Sequence, residues 1–232
     1  MKKFLLLAFS GVLFFSTKSQ VVINNLADPY NQNFNTLANA GTSNVLPTGW
    51  ALLETGANAN DTYLADNGMA NSGNTYSYGV ANNAERAFGT LLSGSLTPTV
   101  GVQFTNNSGA TITSITVTYT GEQWRLGTAG REDRLDFQYS TNANALNNGV
   151  YIDVNQLDFI APVVVGPGPL DGNANANKKV IAFEIAGLNI TAGTNFWFRW
   201  TDFNASGADD GLGIDDFSVT FNGNANPPAL SR

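Results

Sequence analysis

The chain has 232 residues, a formal net charge of −7, no cysteine and no histidine. The absence of cysteine excludes a disulfide scaffold, thiol catalysis and zinc–thiolate sites. The absence of histidine removes the side chain on which most zinc sites, serine triads and neutral-pH general bases depend. Because an acidic surface repels phosphate backbones and anionic membranes, we predict neither nucleic acid nor a bilayer as a partner.

Residues 1–19 have the layout of a secretory signal peptide. Lys2 and Lys3 precede an apolar run from Phe4 to Phe15, and a short polar stretch follows that run. The run is shorter than the roughly 20 residues that cross a bilayer. We therefore predict cleavage near Ser19-Gln20, a secreted product and no membrane insertion. Three of the 11 basic residues lie in this segment, so its removal changes the formal net charge from −7 to −10.

Six segments of the remaining chain alternate strictly between apolar and polar residues, a pattern typical of half-buried antiparallel strands. No window shows a sustained apolar repeat of 3.6 residues, so very low helical content is predicted. In chain order, the residues that share one face of these strands are Val100, Val102 and Phe104, then Ile115, Val117 and Tyr119, then Leu135, Phe137 and Tyr139, then Ile181, Phe183 and Ile185, then Phe196, Phe198 and Trp200, and last Phe217, Val219 and Phe221.

Clusters of Asn, Gly, Asp and Ser separate these segments, for example at residues 106–109, 147–149 and 171–173. Such residues favour tight turns because they tolerate positive φ or bond to the local backbone. Many strands separated in this way predict one all-β domain over residues 20–222, a two-sheet antiparallel β-sandwich of jelly-roll, concanavalin-like type. Residues 223–232 are predicted to be a flexible tail or linker.

Aromatic, arginine and carboxylate side chains occur close together at three places in the sequence. Aromatic rings stack on the apolar faces of a pyranose and charged groups bond its hydroxyls, so this combination is typical of a sugar-binding face. The predicted ligand-binding residues are Arg86, Glu122, Trp124, Arg125, Trp197 and Arg199. The alternative is structural, because arginines also satisfy nearby acids in bidentate pairs and the tryptophans can belong to the core.

Residues 202–207 match the first half of a calcium loop, with oxygen-bearing side chains at alternate positions followed by a glycine. The second half is missing, because the twelfth position is Gly213 rather than a bidentate glutamate. The predicted ligands of a structural Ca²⁺ are Asp202, Asn204, Ser206, Asp209, Asp210 and Asp215. The alternative is a solvated acidic turn capped by Asx hydrogen bonds.

The positions of the acidic residues in the sequence do not indicate a catalytic pair. A glycosidase needs two carboxyl groups about 5 to 10 Å apart. Asp215 and Asp216 are adjacent, so they should point to opposite faces of a strand. The mixed charge run at residues 131–134 is interpreted as a solvated turn of little energetic value. We therefore predict no enzymatic activity and no catalytic residue.

Two motifs resemble those of a group of secreted bacterial domains. Residues 46–50 (LPTGW) follow Phe34 near the start, and residues 214–217 (IDDF) lie in the last predicted strand. They are similar to the LPxGW-type and IDDF-type motifs of jelly-roll modules, including cleaved-adhesin and MAM-like domains. The resemblance implies a β-sandwich with structural calcium near its last strand. Modules of this group bind glycans or proteins, and some are fused to extracellular hydrolases or nucleases.

These observations predict a secreted, non-catalytic binding or adhesion module for a glycan or another component of the cell surface or extracellular matrix. Two alternatives stay open. In the first, the chain is an accessory domain of an extracellular hydrolase, or is itself such a hydrolase, of the glycoside hydrolase or nuclease-associated kind. In the second, it is a structural matrix or biofilm protein.

Overall fold

A computed structural model describes residues 20–225 of the protein, so the predicted signal peptide and residues 226–232 of the predicted tail lie outside the described residues. A single turn of 3-10 helix occupies Asn155–Leu157. The strands are β1 (Val21–Ile23), β2 (Tyr30–Gln32), β3 (Thr42–Ser43), β4 (Trp50–Thr55), β5 (Tyr63–Asp66), β6 (Asn74–Tyr78), β7 (Ala87–Leu91), β8 (Thr97–Asn106), β9 (Ala110–Leu126), β10 (Arg134–Ser140), β11 (Ile152–Asp153), β12 (Phe159–Ile160), β13 (Gly168–Pro169), β14 (Lys178–Ile190), β15 (Asn195–Asp202) and β16 (Gly211–Ala225).

The strands form two sheets. The seven-stranded sheet has the order β1-β8-β15-β10-β11, with β4 also on β8 and β12 also on β10. The nine-stranded sheet has the order β13-β9-β16-β7-β6-β5-β3, with β14 also on β9 and β2 also on β16. The predicted two-sheet, all-β sandwich is confirmed. Both sheets are mixed rather than purely antiparallel, because β1 pairs with β8 and β5 pairs with β6 in parallel.

The core lies between the inner faces of the two sheets and contains the apolar residues that the alternation assigned to one face of each strand. Val102, Val117 and Phe198 are fully or almost fully buried, as are nearly all the other residues predicted to face the core. At its centre the indoles of Trp50 and Trp200 stack with ring centroids 5.9 Å apart. Phe183 is an exception at 37% exposed. It lies on β14, which pairs with β9 alone and therefore lies at an edge of the sheet.

Strand β16 contains a β-bulge that interrupts its alternation. Asp215 pairs with Thr120 but Ser218 pairs with Thr118, so one more residue lies on β16 than on β9 between these pairs. Asp216 takes a left-handed φ of 48° there, as bulges often require. The bulge places Ile214 and Phe217 both in the core and leaves Asp215 on the outer face.

The last strand continues to Ala225, three residues past the predicted domain boundary at 222. Its final residues pair with the beginning of β9 as far as Ala110. Within residues 20–225, no helix is long and apolar enough to cross a bilayer.

Candidate functional site

A groove of about 750 Å³ lies on the outer face of the seven-stranded sheet. Its floor is β8, which is flanked on one side by β1 and β4 and on the other by β15. One wall is the segment 144–147 that follows β10. The polar lining consists of amide side chains, namely those of Gln20, Gln103, Asn144 and Asn147, and the apolar lining includes Leu53, Leu146 and Trp197.

Trp197 lines this groove and has an unpaired hydrogen-bond donor. The residue is 5% exposed and packs with Ala51, Ala143 and Leu146 in an apolar cluster separate from the main core. Its indole Nε1 is buried and has no hydrogen-bond partner. Buried indole N–H groups usually find a partner, so Trp197, a residue of the groove lining, carries an unsatisfied donor.

Gly101 allows the wall of the groove to pack onto β8. A Cβ atom at this position would lie 2.6 Å from Cδ2 of Leu146, and closer still to the carbonyl oxygen of Phe198. Such distances are far inside ordinary van der Waals contact. Only glycine therefore lets the segment around Leu146 rest against the strand.

Arg199 holds the same wall, the segment 144–147, by a hydrogen bond to its backbone. Its Nε donates to Oε1 of Gln138 at 2.6 Å, and its guanidinium also donates to the carbonyl oxygen of Leu146. The guanidinium carbon lies 3.6 Å from the ring centroid of Tyr151, a cation–π distance. Of the six predicted ligand-binding residues, Trp197 and Arg199 are thus brought together, one lining the groove and the other holding its wall.

Glu122, Trp124 and Arg125 lie on the other sheet, away from this groove. Trp124 is 1% exposed, lies parallel to Tyr78 with centroids 5.9 Å apart and donates from Nε1 to Oε2 of Glu122 at 2.9 Å. Arg125 donates to the carbonyl oxygen of Gly68 at 3.1 Å. Trp124 belongs to a second small core on the outer face of the nine-stranded sheet, with Tyr76, Tyr78, Ala87 and Leu91.

Arg86 is buried at 1% exposure and is also separate from the groove. It donates to Oγ of Ser77 at 2.9 Å and to the carbonyl oxygen of Val80 at 3.2 Å, and burial lowers its pKa. The ion pairs found within residues 20–225 involve Arg131 and Arg134. Arg86 is therefore held mainly by neutral oxygens rather than by Glu85.

The predicted calcium ligands separate into three groups. Asn204 and Ser206 are exposed, whereas Asp202, Asp209 and Asp210 are buried. Asp215 lies in a different carboxylate cluster, described below. The structure therefore brings three of the six predicted ligands to one region.

Protein donors already surround those three aspartates. Asp209 accepts from the backbone N–H of Ala205 at 2.9 Å. Asp210 accepts from the backbone N–H of Gly127 and from the side-chain amide of Gln123, each at 2.8 Å. Burial, together with the nearby Asp133, raises the pKa of Asp209 and of Asp210 to about 6. One buried oxygen, Oδ1 of Asp202, has no hydrogen-bond partner. Calcium binding here stays a prediction.

The charge run at 131–134 is not the solvated turn that the sequence suggested. Asp133 has no exposed surface, and Arg131 pairs with Asp133 at 2.9 Å and with Asp210 at 3.3 Å. Oδ2 of Asp133 also accepts from the backbone N–H of Asp210 at 2.8 Å. The interpretation was wrong because the segment that covers Asp133 comes from far along the chain.

No protein-family model matches the sequence, and no curated protein matches it. Several solved structures are similar to the chain. The K3 cleaved adhesin domain of Lys-gingipain from Porphyromonas gingivalis is 14% identical, with a TM-score of 0.47, over 82% of this chain and 98% of that one. TmCBM61 in complex with beta-1,4-galactotriose is 12% identical, with a TM-score of 0.34, over 86% and 92%.

A third similar structure is a non-crystalline cellulose specific carbohydrate-binding module, CBM28. It is 12% identical, with a TM-score of 0.31, over 76% of this chain and 88% of that one. The assignment of the β-sandwich rests on the strand pairing described above rather than on these likenesses.

Proposed function

We propose that the protein is an extracellular, non-catalytic binding module and that the groove beside Trp197 binds a glycan. The observation that carries this proposal is the buried, unpaired Nε1 of Trp197 in a groove with polar amide walls. A hydroxyl group of a sugar is a suitable acceptor for that donor, and the amides of Gln103 and Asn147 both donate and accept, as sugar hydroxyls do.

The size and charge of the groove agree with this ligand class. Ligand sites commonly occupy about 300 to 1,000 Å³, and this groove measures about 750 Å³. None of the described residues that line it carries a charge. A neutral glycan therefore suits it better than an acidic one. Glycoside hydrolysis needs a pair of carboxyl groups at the bond that breaks, so an acid-free lining favours binding over turnover.

Two further parts of the proposal come from the sequence. Export rests on the signal-peptide layout of residues 1–19. A structural calcium ion at residues 202–210 is supported by the unpaired Oδ1 of Asp202 and by Asp133, which adds to burial in raising the pKa of Asp202, Asp209 and Asp210. The proposed contact between the groove and a glycan involves neither the signal peptide nor the calcium ion.

A glycan array followed by calorimetry on the best ligand tests the proposal. Gln103→Ala removes an amide from the floor, and Trp197→Phe removes the indole donor while keeping a ring. Each loses about one hydrogen bond, worth roughly 0.5 to 1.5 kcal/mol, so each should weaken binding about 2- to 10-fold. Thr116→Ala is the control, because Thr116 is a half-buried polar residue on β9 of the other sheet and should leave the affinity unchanged.

The same experiment has two contrary outcomes. If the array shows no glycan ligand, the proposed ligand class is wrong. If a glycan binds but the Gln103 and Trp197 variants bind as tightly as the control, the glycan site is elsewhere and the groove is not the binding surface.

A further inference from the structure

Three carboxylate side chains meet on the outer face of the nine-stranded sheet. Glu122 lies on β9, Asp215 lies on β16 beside it, and Glu85 lies two residues before β7 on the other side of β16. One oxygen from each lies within 4.8 Å of the other two. Neighbouring strands thus bring together three residues that are far apart in the sequence.

Each carboxylate has one oxygen fixed by the protein. Oε2 of Glu122 accepts from Trp124 Nε1 at 2.9 Å, Oε2 of Glu85 accepts from the side-chain amide of Asn173, and Asp215 accepts from the backbone N–H of Asp216. These bonds hold the three groups in place from different directions. The cluster is therefore organised by its surroundings rather than free to spread apart.

Two of the remaining oxygens are buried and have no hydrogen-bond partner. These are Oε1 of Glu85 and Oδ1 of Asp215. Asp215 is only 6% exposed and Glu122 only 1% exposed, so water does not readily reach these two side chains. A buried acceptor without a partner is costly, and two in one cluster indicate a missing positively charged or donating group.

The charges around the cluster do not balance it. Lys178 lies opposite Glu122 in the strand register and acts on Glu122, and Arg86 interacts with Glu85. Asp216 adds a fourth negative charge. Burial, and then neighbouring acids, raise the pKa of Glu122 to about 7 and that of Asp215 to about 9. The cluster therefore concentrates more negative charge than the two neighbouring cations offset.

We propose that Glu85, Glu122 and Asp215 form a binding site for a divalent cation, with Ca²⁺ as the ion that fits best. Calcium binds oxygens at 2.3–2.6 Å, so two ligands of one ion are at most about 5 Å apart. The separation of up to 4.8 Å satisfies this limit without movement. Magnesium, at 2.0–2.1 Å, limits opposite ligands to about 4 Å, and zinc prefers nitrogen and sulfur ligands.

This site is distinct from the loop at residues 202–210. An ion here would link β9, β16 and the residues just before β7. Because Glu85 accepts from Asn173, the ion would also help to fix the segment that covers Trp124. Its expected role is to hold this outer face together. The proposal does not depend on glycan binding, because the groove lies on the opposite sheet.

Terbium luminescence tests the site directly, since this ion replaces calcium in oxygen-rich sites and a nearby indole sensitises its emission. Trp124 is the sensitiser, because it is hydrogen-bonded to Glu122. At neutral pH, micromolar terbium added to the whole protein should give emission on indole excitation, and calcium should displace it. Asp215→Asn and Glu122→Gln, which keep shape and remove charge, should remove the part of this emission, and of the calcium-induced rise in melting temperature, that comes from the cluster.

Asp216→Asn is the matched control, because Asp216 adjoins Asp215 in the chain but is exposed. It should keep full emission. Glu85→Gln is a second test if Asp215→Asn does not fold, since Glu85 is partly exposed and lies outside any strand. The proposal is overturned if terbium gives no sensitised emission with the unmodified protein, or if the folded variants of Asp215, Glu122 and Glu85 emit as strongly as Asp216→Asn.

Discussion

Replacing Gly172 by alanine should destabilise the protein through Trp124. Gly172 is buried in the turn that covers the outer face of the nine-stranded sheet. A Cβ atom at this position would lie 2.7 Å from Cδ1 of Trp124, and closer still to Nε1 and Cε2. Non-bonded carbons normally settle at about 3.5 to 4.0 Å, so the ring or the turn has to move by nearly 1 Å.

Both movements break contacts that the structure shows. The indole is held by its bond to Glu122 at 2.9 Å and lies parallel to Tyr78. The turn is held by the amide of Asn173 on Glu85. Overpacking of this kind costs about 1–3 kcal/mol. A domain of this size loses roughly 2–4 °C per kcal/mol, so the melting temperature should fall by about 2 to 12 °C.

Differential scanning calorimetry with two companion variants checks this reasoning. Gly94→Ala is the matched control, because a Cβ atom there would meet nothing within 4 Å, and it should be neutral or slightly stabilising. In a Trp124→Leu background, Gly172→Ala should cost clearly less, because Nε1 and Cε2, the two atoms that overlap most, are gone. If Gly172→Ala melts within 1 °C of Gly94→Ala, the described packing of the turn on Trp124 is refuted.

Two further predictions concern the acidic segment at 202–210. Burial, and then Asp133, raise the pKa of Asp209 to about 6 from its usual 3.8, so the folded state binds more protons than the unfolded state between these values. The contribution of Asp209 to stability therefore falls as pH rises from about 4 to 6. Asp209→Asn should flatten that part of the curve of melting temperature against pH, and a parallel curve would contradict the assignment. Calcium should raise the melting temperature and a chelator should lower it. Asp202→Ala combined with Asp210→Ala should abolish the difference if the ion is in this loop, whereas loss of the effect in Asp215→Asn alone assigns it to the carboxylate cluster.

The main strands and their inner faces were predictable because alternation is a local property of the sequence. The bulge in β16 was not, although a signal was present. Ile214 and Phe217 are both apolar and three residues apart, which a regular strand cannot bury on one side. An extra residue at Asp216 resolves that conflict. The three-residue spacing of Ile214 and Phe217 was thus the available clue to the bulge and to the position of Asp215 on the outer face.

The candidate site was only partly predictable. The same aromatic–arginine pattern occurs at Trp124 and at Trp197, and it does not reveal which outer face another segment will cover. Trp124 is covered by a turn that approaches through Gly172. Gln103 and the wall at 144–147 were missed because the groove depends on how a loop folds back over Gly101. Asp210 likewise meets Arg131 only through long-range packing.

Strand β1 starts at Val21, and Gln20 just before it lines the groove. An affinity tag fused directly ahead of Gln20 would emerge at the mouth of the binding surface and compete with any ligand. A tag attached after Ala225 leaves from the end of β16, on the other sheet. Recombinant versions made for glycan screening should therefore carry their tags at the carboxyl terminus.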